Sequence, residues 1–192
     1  IKSMKKIKIT IVGNQDVGKT SVLFAYLDKS LHNTRTTIGI DFFTKTSRIG
    51  EDRLNITLWD TAGAERFRAL SAQYMRDSDI IIIAYDLSKR VSNLPYWMRQ
   101  VEQHRPKVVG ILGNKTDITK LNTEDLHDML YPWTRQNWKV ITGTCSSRDS
   151  KSVKTFFRRC LKEVTKRDLD ETFELPNITL LPEKPQNRTC CT

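Results

Sequence analysis

The hydrophobic positions of the chain fall into short apolar runs separated by amphipathic segments. KIKITIVG alternates and then turns apolar up to Gly13, and DIIIIAYDL, KVVGILGN and NWKVITGT are further apolar runs. Such runs are typical of strands that are covered on both faces of a parallel sheet. Two more strand-like segments, Asp41–Ile49 and Leu54–Trp59, are joined by a turn at Gly50-Glu51-Asp52. The pattern therefore predicts six strands.

Segments with helical character lie between these strands. They are Thr20–Asp28, Phe67–Arg76, Val91–His104, Glu124–Gln136 and Ser152–Lys166. Alternating strands and helices imply right-handed crossovers and a mostly parallel sheet. We therefore predict an α/β fold in which six mostly parallel strands are flanked by about five helices. In such a fold a binding site lies beyond the carboxyl ends of the strands.

The character of the chain changes after Lys166. DLDETFELPNITLLPEKPQNRTCCT has three prolines, no glycine and no sustained periodicity, which is the pattern of an extended, largely disordered tail. We expect one domain over residues 4–167, with Met4 as the natural start, and a tail over residues 168–192. A chain of 192 residues is long enough for one domain with a sizeable core.

The formal charge of +10 is unevenly spread along the chain. The tail carries five acidic and two basic residues, a net charge of −3, so the rest of the chain carries +13. A basic body suits acidic partners, an anionic membrane or nucleic acid. No aromatic-rich motif or recognition helix accompanies the charge, so we do not expect nucleic-acid binding. No apolar run reaches the ~20 residues of a membrane span.

A glycine-rich segment lies between the first predicted strand and the first predicted helix. Gly13–Thr20, GNQDVGKT, fits G-x-x-x-x-G-K-[ST], whose backbone N–H groups and helix N-terminus suit phosphates. Lys19 would lie along the β- and γ-phosphates, and Thr20 would offer its hydroxyl to Mg²⁺. A plainer interpretation is a glycine turn with a surface lysine. The other expected nucleotide contacts in this segment are Gln15, Asp16, Val17, Gly18 and Ser21.

A second candidate segment, Asn114-Lys115-Thr116-Asp117, follows the apolar run KVVGILGN. Asp117 can accept hydrogen bonds from N1–H and the exocyclic amine of guanine, a pair of donors that adenine lacks. Asn114 would tie this loop to the phosphate loop, and the stem of Lys115 would cover one face of the base. The next strand end would supply a backbone N–H to guanine O6. The residues expected there are Ser146, Ser147 and Arg148.

A third candidate segment, Asp60-Thr61-Ala62-Gly63, ends another predicted strand. Asp60 can hold Mg²⁺ through water, and Gly63 lets its N–H approach the γ-phosphate. Thr37 can complete the metal shell when the third phosphate is present. The plainer alternatives are Asp60 as a helix cap and Thr37 as a loop hydroxyl. The predicted metal residues are Thr20, Thr37 and Asp60, and the predicted catalytic residues are Lys19, Thr37 and Gly63.

Five motifs of this chain, in order, resemble the five motifs of Ras-like small GTPases. They are Gly13–Thr20, Thr37, Asp60–Gly63, Asn114–Asp117 and Ser146–Arg148. IGIDF, LWDTAG, ERFR, Tyr74 and YDLS resemble the Rab branch. FTKTSRI, Arg76-Asp77-Ser78, GNKTD, SVKTFFRR and EKPQ look most like the Golgi-associated Rab subgroup. The resemblance covers about residues 5–166 and the end of the tail.

The resemblance implies a monomeric GTP/GDP-dependent switch in vesicle traffic that binds effectors in its Mg–GTP state. It also implies an exchange factor, a GTPase-activating protein and a GDP-dissociation inhibitor as partners. In Rabs, effectors contact an aromatic triad, and the matching residues here are Phe42, Trp59 and Tyr74, with Ile38 beside them. The plainer interpretation is that the triad only packs the surface of the sheet.

Ala64 departs from the family, which usually has a glutamine that positions the attacking water. A methyl group makes no hydrogen bond to water or to the transition state, so we expect slow intrinsic hydrolysis. An activating protein that supplies both an arginine and a glutamine would restore it. The alternatives are a non-hydrolysing, GTP-locked membrane scaffold, with Ala64 natural or engineered, and an ATP-using kinase. The NKTD motif weighs against the kinase.

Four cysteines are too few and too clustered for a disulfide scaffold, which favours the reducing cytosol. In a Rab-like protein, the terminal pair Cys190 and Cys191 implies two geranylgeranyl groups, and stable anchoring generally takes two signals. Ile178, Leu180 and Leu181 resemble the patch that the prenylation escort protein binds. We therefore expect the cytoplasmic face of intracellular membranes, in particular the Golgi, with a cytosolic pool.

Overall fold

The computed structural model describes residues 4–30, 37, 39–63, 68–89, 93–119 and 139–167. In chain order these hold ten elements, namely β1 Lys5–Val12, α1 Lys19–Tyr26, β2 Ile40–Ile49, β3 Asp52–Thr61, α2 Arg68–Met75, β4 Ile80–Asp86, α3 Leu94–His104, β5 Val108–Asn114, β6 Lys139–Thr144 and α4 Ser150–Arg167. The predicted helix Glu124–Gln136 and the predicted tail lie outside the described residues. In the part of the chain that is described, no helix is long and apolar enough to cross a membrane.

The six strands form one sheet in the order β2-β3-β1-β4-β5-β6. Only the β2–β3 pair is antiparallel, and every other neighbouring pair is parallel. The predicted α/β fold with a mostly parallel sheet is confirmed. Since β3 and β4 flank β1 on opposite sides, the sheet has its switch point at β1, and a crevice is expected beyond the carboxyl end of that strand.

Several strands and helices begin or end at other residues than predicted. Strand pairing and backbone conformation determine these ends, and the hydrophobic pattern does not show either. Strand β3 is longer than predicted, since it pairs with β1 on one side and β2 on the other. Asp52 pairs with Ile49 instead of lying in the turn, so the predicted three-residue turn was wrong by one residue. Helix α1 stops at Tyr26 instead of Asp28, which has the left-handed φ of 57°.

Apolar side chains cover both faces of the sheet. One cluster lies between the sheet, α1 and α4, and includes Ile9, Leu58 and Phe157. A second cluster, of α2 and α3 against the sheet, includes Ile81, Trp97 and Val101. Every position of β4 and β5 is buried, as expected of central parallel strands. The two clusters fix the sheet rigidly, and the loops at its carboxyl edge carry the motifs.

Candidate functional site at the carboxyl edge of the sheet

A cavity of about 510 Å³ opens beyond the carboxyl ends of β1, β3 and β5. It brings together residues from all five sequence motifs, although these are far apart in the chain. The predicted residues that line it are Gln15, Asp16, Gly18, Lys19, Thr20, Ser21, Thr37, Gly63, Asn114, Lys115, Asp117, Ser147 and Arg148. Thr61 and Ile118 line it too, and the sequence interpretation missed both.

The remaining predicted residues support this lining or lie elsewhere. Val17 and Ser146 are buried and hydrogen-bond to lining residues, while Asp60 is buried beneath the cavity. Ile38, Ala64, Cys190 and Cys191 lie outside the described residues. Ile118 is 65% exposed, and its signal in the sequence was an apolar residue directly after Asp117.

Helix α1 begins at the cavity without a side-chain cap. Its N-cap residue, Gly18, has a φ of 90°, and its first turn contains no acidic residue. A Cβ atom at Gly18 would come 2.5 Å from Asn114 Nδ2, so the close approach of the two loops requires glycine. The free N–H groups and the dipole of this helix end favour an anion such as phosphate.

Lys19 is buried, with only 6% of its surface exposed. Its ammonium donates to the carbonyl oxygens of Gly13 at 3.0 Å and Asn14 at 2.9 Å. Burial lowers the pKa of Lys19 to about 8, although Asp60 and Asp16 act in the opposite direction. A phosphate beside this ammonium would supply the missing counter-charge and raise its pKa.

Side-chain oxygens of Thr20, Thr37 and Asp60 lie close together beside the phosphate loop, Gly13–Thr20. The Thr20 hydroxyl donates to Asp60 Oδ2 at 2.6 Å and lies 2.9 Å from the Thr37 hydroxyl. The other oxygen of Asp60, Oδ1, is buried and has no hydrogen-bond partner among the described residues, and burial raises the pKa of Asp60 to about 6. A buried carboxylate oxygen of this kind calls for a cation or a donor. Hydroxyl and carboxylate oxygens fit Mg²⁺, with phosphate oxygens and water completing its shell.

The backbone of Gly63 lies against the phosphate loop. A Cβ atom at this position would come 2.5 Å from the Asn14 carbonyl oxygen, from the Gln15 nitrogen and from Lys19 Nζ. No other residue fits here without moving the loop. The Gly63 backbone therefore lies directly beside the phosphate loop and the Lys19 ammonium.

Asn114 joins three loops at the other end of the cavity. Its amide nitrogen donates to the Val17 carbonyl at 2.9 Å, and its amide oxygen accepts the Ser147 N–H at 3.0 Å. Lys115 donates to the Asp16 carbonyl at 2.8 Å and forms an ion pair with Asp86 at 2.7 Å. The predicted tie between this loop and the phosphate loop is present in the geometry.

Asp117 is held in its charged form at the end of the cavity. Its Oδ1 accepts the Ser146 hydroxyl at 2.7 Å, and its Oδ2 lies 3.4 Å from the Arg148 guanidinium. The hydrogen bond from Ser146, with the nearby charges of Arg148 and Lys115, lowers the pKa of Asp117. An ionised carboxylate at this place can accept two N–H donors from a base.

The aromatic residues predicted to contact effectors lie together outside the cavity. The ring centroids of Phe42 and Trp59 are 5.6 Å apart, and those of Trp59 and Tyr74 are 5.1 Å apart. Phe42 is 64% exposed, which is unusual for a phenylalanine that only packs a sheet.

Comparison with known proteins agrees with this geometry. The sequence profile of the Ras family matches residues 8–166. The chain belongs to the Ras family. It is a Rab-type small GTPase, since it is 30% identical to the human Ras-related protein Rab-31 over 98% of this chain and 99% of that protein. Mouse Ras-related protein Rab-22A is 40% identical over 61% of this chain and 63% of its own length.

These relatives are loosely consistent with the Golgi-associated Rab subgroup suggested by the sequence. Ras-family membership makes the chain a GTPase switch and implies GTP or GDP with Mg²⁺ as its ligands. It also implies effectors, an exchange factor, an activating protein and a GDP-dissociation inhibitor as kinds of partner.

Proposed function

We propose that this Rab-type GTPase is a slow switch in vesicle traffic, which binds effectors in its Mg–GTP form. The observation that supports this most is the single cavity with Lys19 and the Thr20–Thr37–Asp60 oxygens at one end and Asp117 at the other. The two ends match a triphosphate and a guanine. An ATP-using kinase would have no use for a charged aspartate at the base end.

The nucleotide would lie with its phosphates at the N-terminus of α1. Lys19 would contact the β- and γ-phosphates, and Asp117 would accept N1–H and the exocyclic amine of guanine. Thr20 and Thr37 would hold Mg²⁺ directly and Asp60 through water, and the ion would neutralise charge on the phosphate oxygens. Ile118, an exposed apolar residue at the rim of the cavity, would contact the base.

The switch would depend on two contacts with the third phosphate. Thr37 would reach it through the metal shell, and the Gly63 N–H would donate to its oxygen. With GTP bound, these contacts hold the two segments next to the aromatic residues Phe42, Trp59 and Tyr74. Once the γ-phosphate leaves, both contacts are lost and the segments relax. Effectors would therefore bind the GTP form.

Hydrolysis would be slow in the absence of an activating protein. A water molecule attacks the γ-phosphorus, the bond to the β–γ bridging oxygen breaks, and GDP leaves with the electron pair. Lys19 stabilises the charge that develops on the leaving oxygen. Ala64 cannot orient the attacking water, so an activating protein would supply both an arginine and a glutamine.

Single-turnover release of phosphate from GTP-loaded protein tests this proposal. We expect slow release by the chain alone and fast release with a catalytic domain that supplies Arg and Gln. The matched control is Ala64→Gln, which should speed the release without any added domain. Fast release by the unaltered chain alone would contradict the role given to Ala64.

A second candidate is a GTP-locked membrane scaffold that does not cycle. Ala64 favours it, because the chain lacks its own water-positioning side chain. The retained positions of Thr37 and Gly63 weigh against it, because a scaffold that never loses its γ-phosphate has no use for residues that sense it. Absence of release both with and without the catalytic domain would favour the scaffold.

The tail would anchor the switch through geranylgeranyl groups on Cys190 and Cys191. Each buried CH₂ contributes about 0.8 kcal/mol, and one lipid chain gives only marginal binding. The remaining tail would serve as a tether, with Ile178, Leu180 and Leu181 bound by the escort protein during modification. We expect mass spectrometry after prenylation in vitro to show two added lipids, one in Cys191→Ser, and none in the double serine variant.

A further inference from the structure

One face of the sheet near the aromatic residues is polar and cationic, and its strand β2 side chains are exposed. Alternation along β2 places Phe43 and Ile49 against the α1–α4 core cluster, so Phe42, Thr44, Thr46 and Arg48 point the other way, and all four are exposed. The cluster of α2 and α3 contains, within the described part of the chain, no side chain from β2 or β3. Among the described helices, α2 alone reaches this face, at its aromatic end through Tyr74.

The neighbouring strands continue the same face. Register pairs Phe42 with Trp59, Thr44 with Thr57, Thr46 with Asn55 and Arg48 with Arg53. On the other side of β3, Thr57 pairs with Lys8 and Asn55 with Lys6. The hairpin face, as we name it, consists of Phe42, Thr44, Thr46, Arg48, Arg53, Asn55, Thr57, Trp59, Lys6 and Lys8.

The charges of the hairpin face all have one sign. Arg48 and Arg53 lie directly opposite each other, an arrangement that destabilises a sheet. Arg48 donates to the Gly50 carbonyl, and among the described residues no carboxylate pairs with either arginine. Asp52 pairs with Lys5 and Asp79 with Lys107. Asp77 and Asp79 act on Lys8, where their charges oppose the fall in its pKa that burial causes.

Lys8 connects the cationic region to the aromatic residues. Its ammonium lies 5.5 Å from the centre of the Trp59 ring and donates to the Arg76 carbonyl. Apolar area is therefore available at one end of the hairpin face, and positive charge accumulates toward the other end. A cross-strand pair of arginines that costs stability is better explained by a ligand than by folding.

We propose that the hairpin face binds an acidic segment of a partner protein, with an apolar anchor at one end and carboxylates at the other. The anchor contacts Phe42 and Trp59 beside Lys8, and the carboxylates pair with Arg48, Arg53 and Lys6. This inference rests on the proposed role of the aromatic residues in effector binding and adds the chemistry of the partner. The hydroxyls of Thr44, Thr46 and Thr57, which lie between the two ends, accept hydrogen bonds from the same segment and donate to it.

The spacing of the two ends limits the segment. Phe42 and Arg48 are six positions apart in β2, which at about 3.3 Å per residue is roughly 20 Å. A helix rises 1.5 Å per residue, so its anchor and its farthest carboxylates would be separated by about 13 residues. An extended segment would need about six.

Selection from a phage-displayed library of random 20-residue segments tests the proposal. The bait is the full chain loaded with a non-hydrolysable GTP analogue and Mg²⁺. We expect the selected segments to be enriched in Asp and Glu at these spacings from an aromatic or aliphatic residue. Arg48→Glu together with Arg53→Glu should weaken their binding by tenfold or more.

The control is a double variant on helix α4 that changes the net charge by the same amount as Arg48→Glu with Arg53→Glu. Arg158→Glu with Lys162→Glu reverses two exposed cations of α4, and binding should then change by no more than about twofold. Arg48→Glu alone replaces a like-charged pair by an opposite-charged pair with Arg53, so its unchanged or higher melting temperature shows that the hairpin still folds. Equal weakening by both double variants would overturn the proposal, because net charge alone would explain the binding.

The variant Phe42→Ala separates this inference from the proposed effector surface. Loss of binding in Phe42→Ala but not in the Arg48–Arg53 double variant would overturn the acidic partner and leave the effector surface intact. Binding insensitive to both would overturn both. Vesicles containing phosphatidylserine and single-stranded DNA are tested in parallel. If they bind with the same dependence on Arg48 and Arg53 while no acidic segment is selected, the occupant is a polyanion and not a protein.

Discussion

Lys19 shows how the charge of one residue depends on the ligand. In the free protein its ammonium is buried and donates to the Gly13 and Asn14 carbonyl oxygens, and burial lowers its pKa to about 8. The unfolded chain binds more protons than the folded chain between that value and the ordinary 10.5. Folding of the nucleotide-free protein therefore gains stability from this group as the pH rises through that window.

Nucleotide binding should reverse this effect, because phosphates restore the charged form of Lys19. At pH 8 about half of the free molecules carry a neutral Lys19. We expect GDP binding to take up about half a proton at pH 8 and much less at pH 6.5. Calorimetry in two buffers of different ionisation enthalpy measures the uptake. Lys19→Arg is the control, since arginine stays charged, and release of protons at pH 8 would contradict this account.

At the scale of elements, the helix-to-helix contact between α1 and α4 carries much of one core cluster. Phe157 stacks on Tyr26 with ring centroids 4.1 Å apart, and Phe157 is fully buried. Since α1 begins at the phosphate loop, the same contact restrains the helix that follows that loop. Packing far from the cavity thus determines the geometry within it.

We expect Phe157→Ala to lower the free energy of unfolding by about 3–5 kcal/mol, because it leaves a cavity in a closely packed core. Urea unfolding followed by circular dichroism measures the change. Phe157→Leu should cost less, since it keeps most of the volume. Thr155→Ala, at an exposed position of the same helix, should change stability by less than about 0.5 kcal/mol. A similar loss in Thr155→Ala would point to helix propensity instead of packing.

The sequence predicts elements well where one face or both faces are apolar without interruption. The pattern predicts β4 and β5 correctly because all positions of these strands are buried and apolar runs mark them. It does not predict the ends of β3. The extra residues of that strand are held by pairing with β1 and β2, which the local pattern does not reveal. The same limit applies to Lys115, whose partner Asp86 lies 29 residues earlier in the chain.

The motifs placed most of the candidate site because each of them requires its residues at fixed short spacings. Short spacings do not predict contacts between elements that are far apart in the chain. Trp97 of α3, for example, donates its indole N–H to the Asn14 side chain in the phosphate loop at 3.0 Å. Nothing in the pattern around Trp97 indicates a polar partner 83 residues away. The position of Arg48 directly opposite Arg53 also follows only from the register of β2 and β3.

At the scale of the whole molecule, the cavity draws on residues from Gln15 to Arg148. A ligand that binds there contacts loops from both ends of the domain, so it binds the folded chain and not the unfolded one. Ligand binding and folding are therefore linked across the entire domain.

We expect Mg–GDP at one thousand times its Kd to raise the free energy of unfolding by about 4 kcal/mol. Removal of Mg²⁺ with EDTA should cancel part of that gain, because the Asp60 oxygen loses its cation. Thermal unfolding with and without each component measures both effects. In Asp60→Asn the EDTA-sensitive part should shrink while the gain from GDP remains. Equal sensitivity to EDTA in this variant would argue that the ion binds elsewhere.

The two hydrogen bonds of Asn114 have a consequence for the lifetime of the complex. One side chain holds the phosphate loop through Val17 and the last base loop through Ser147. Outward movement of either loop breaks its own hydrogen bond to Asn114 and leaves that side chain held only by the other loop. We therefore expect a protein that pulls on one of these loops to weaken the hold of the other loop on the nucleotide as well.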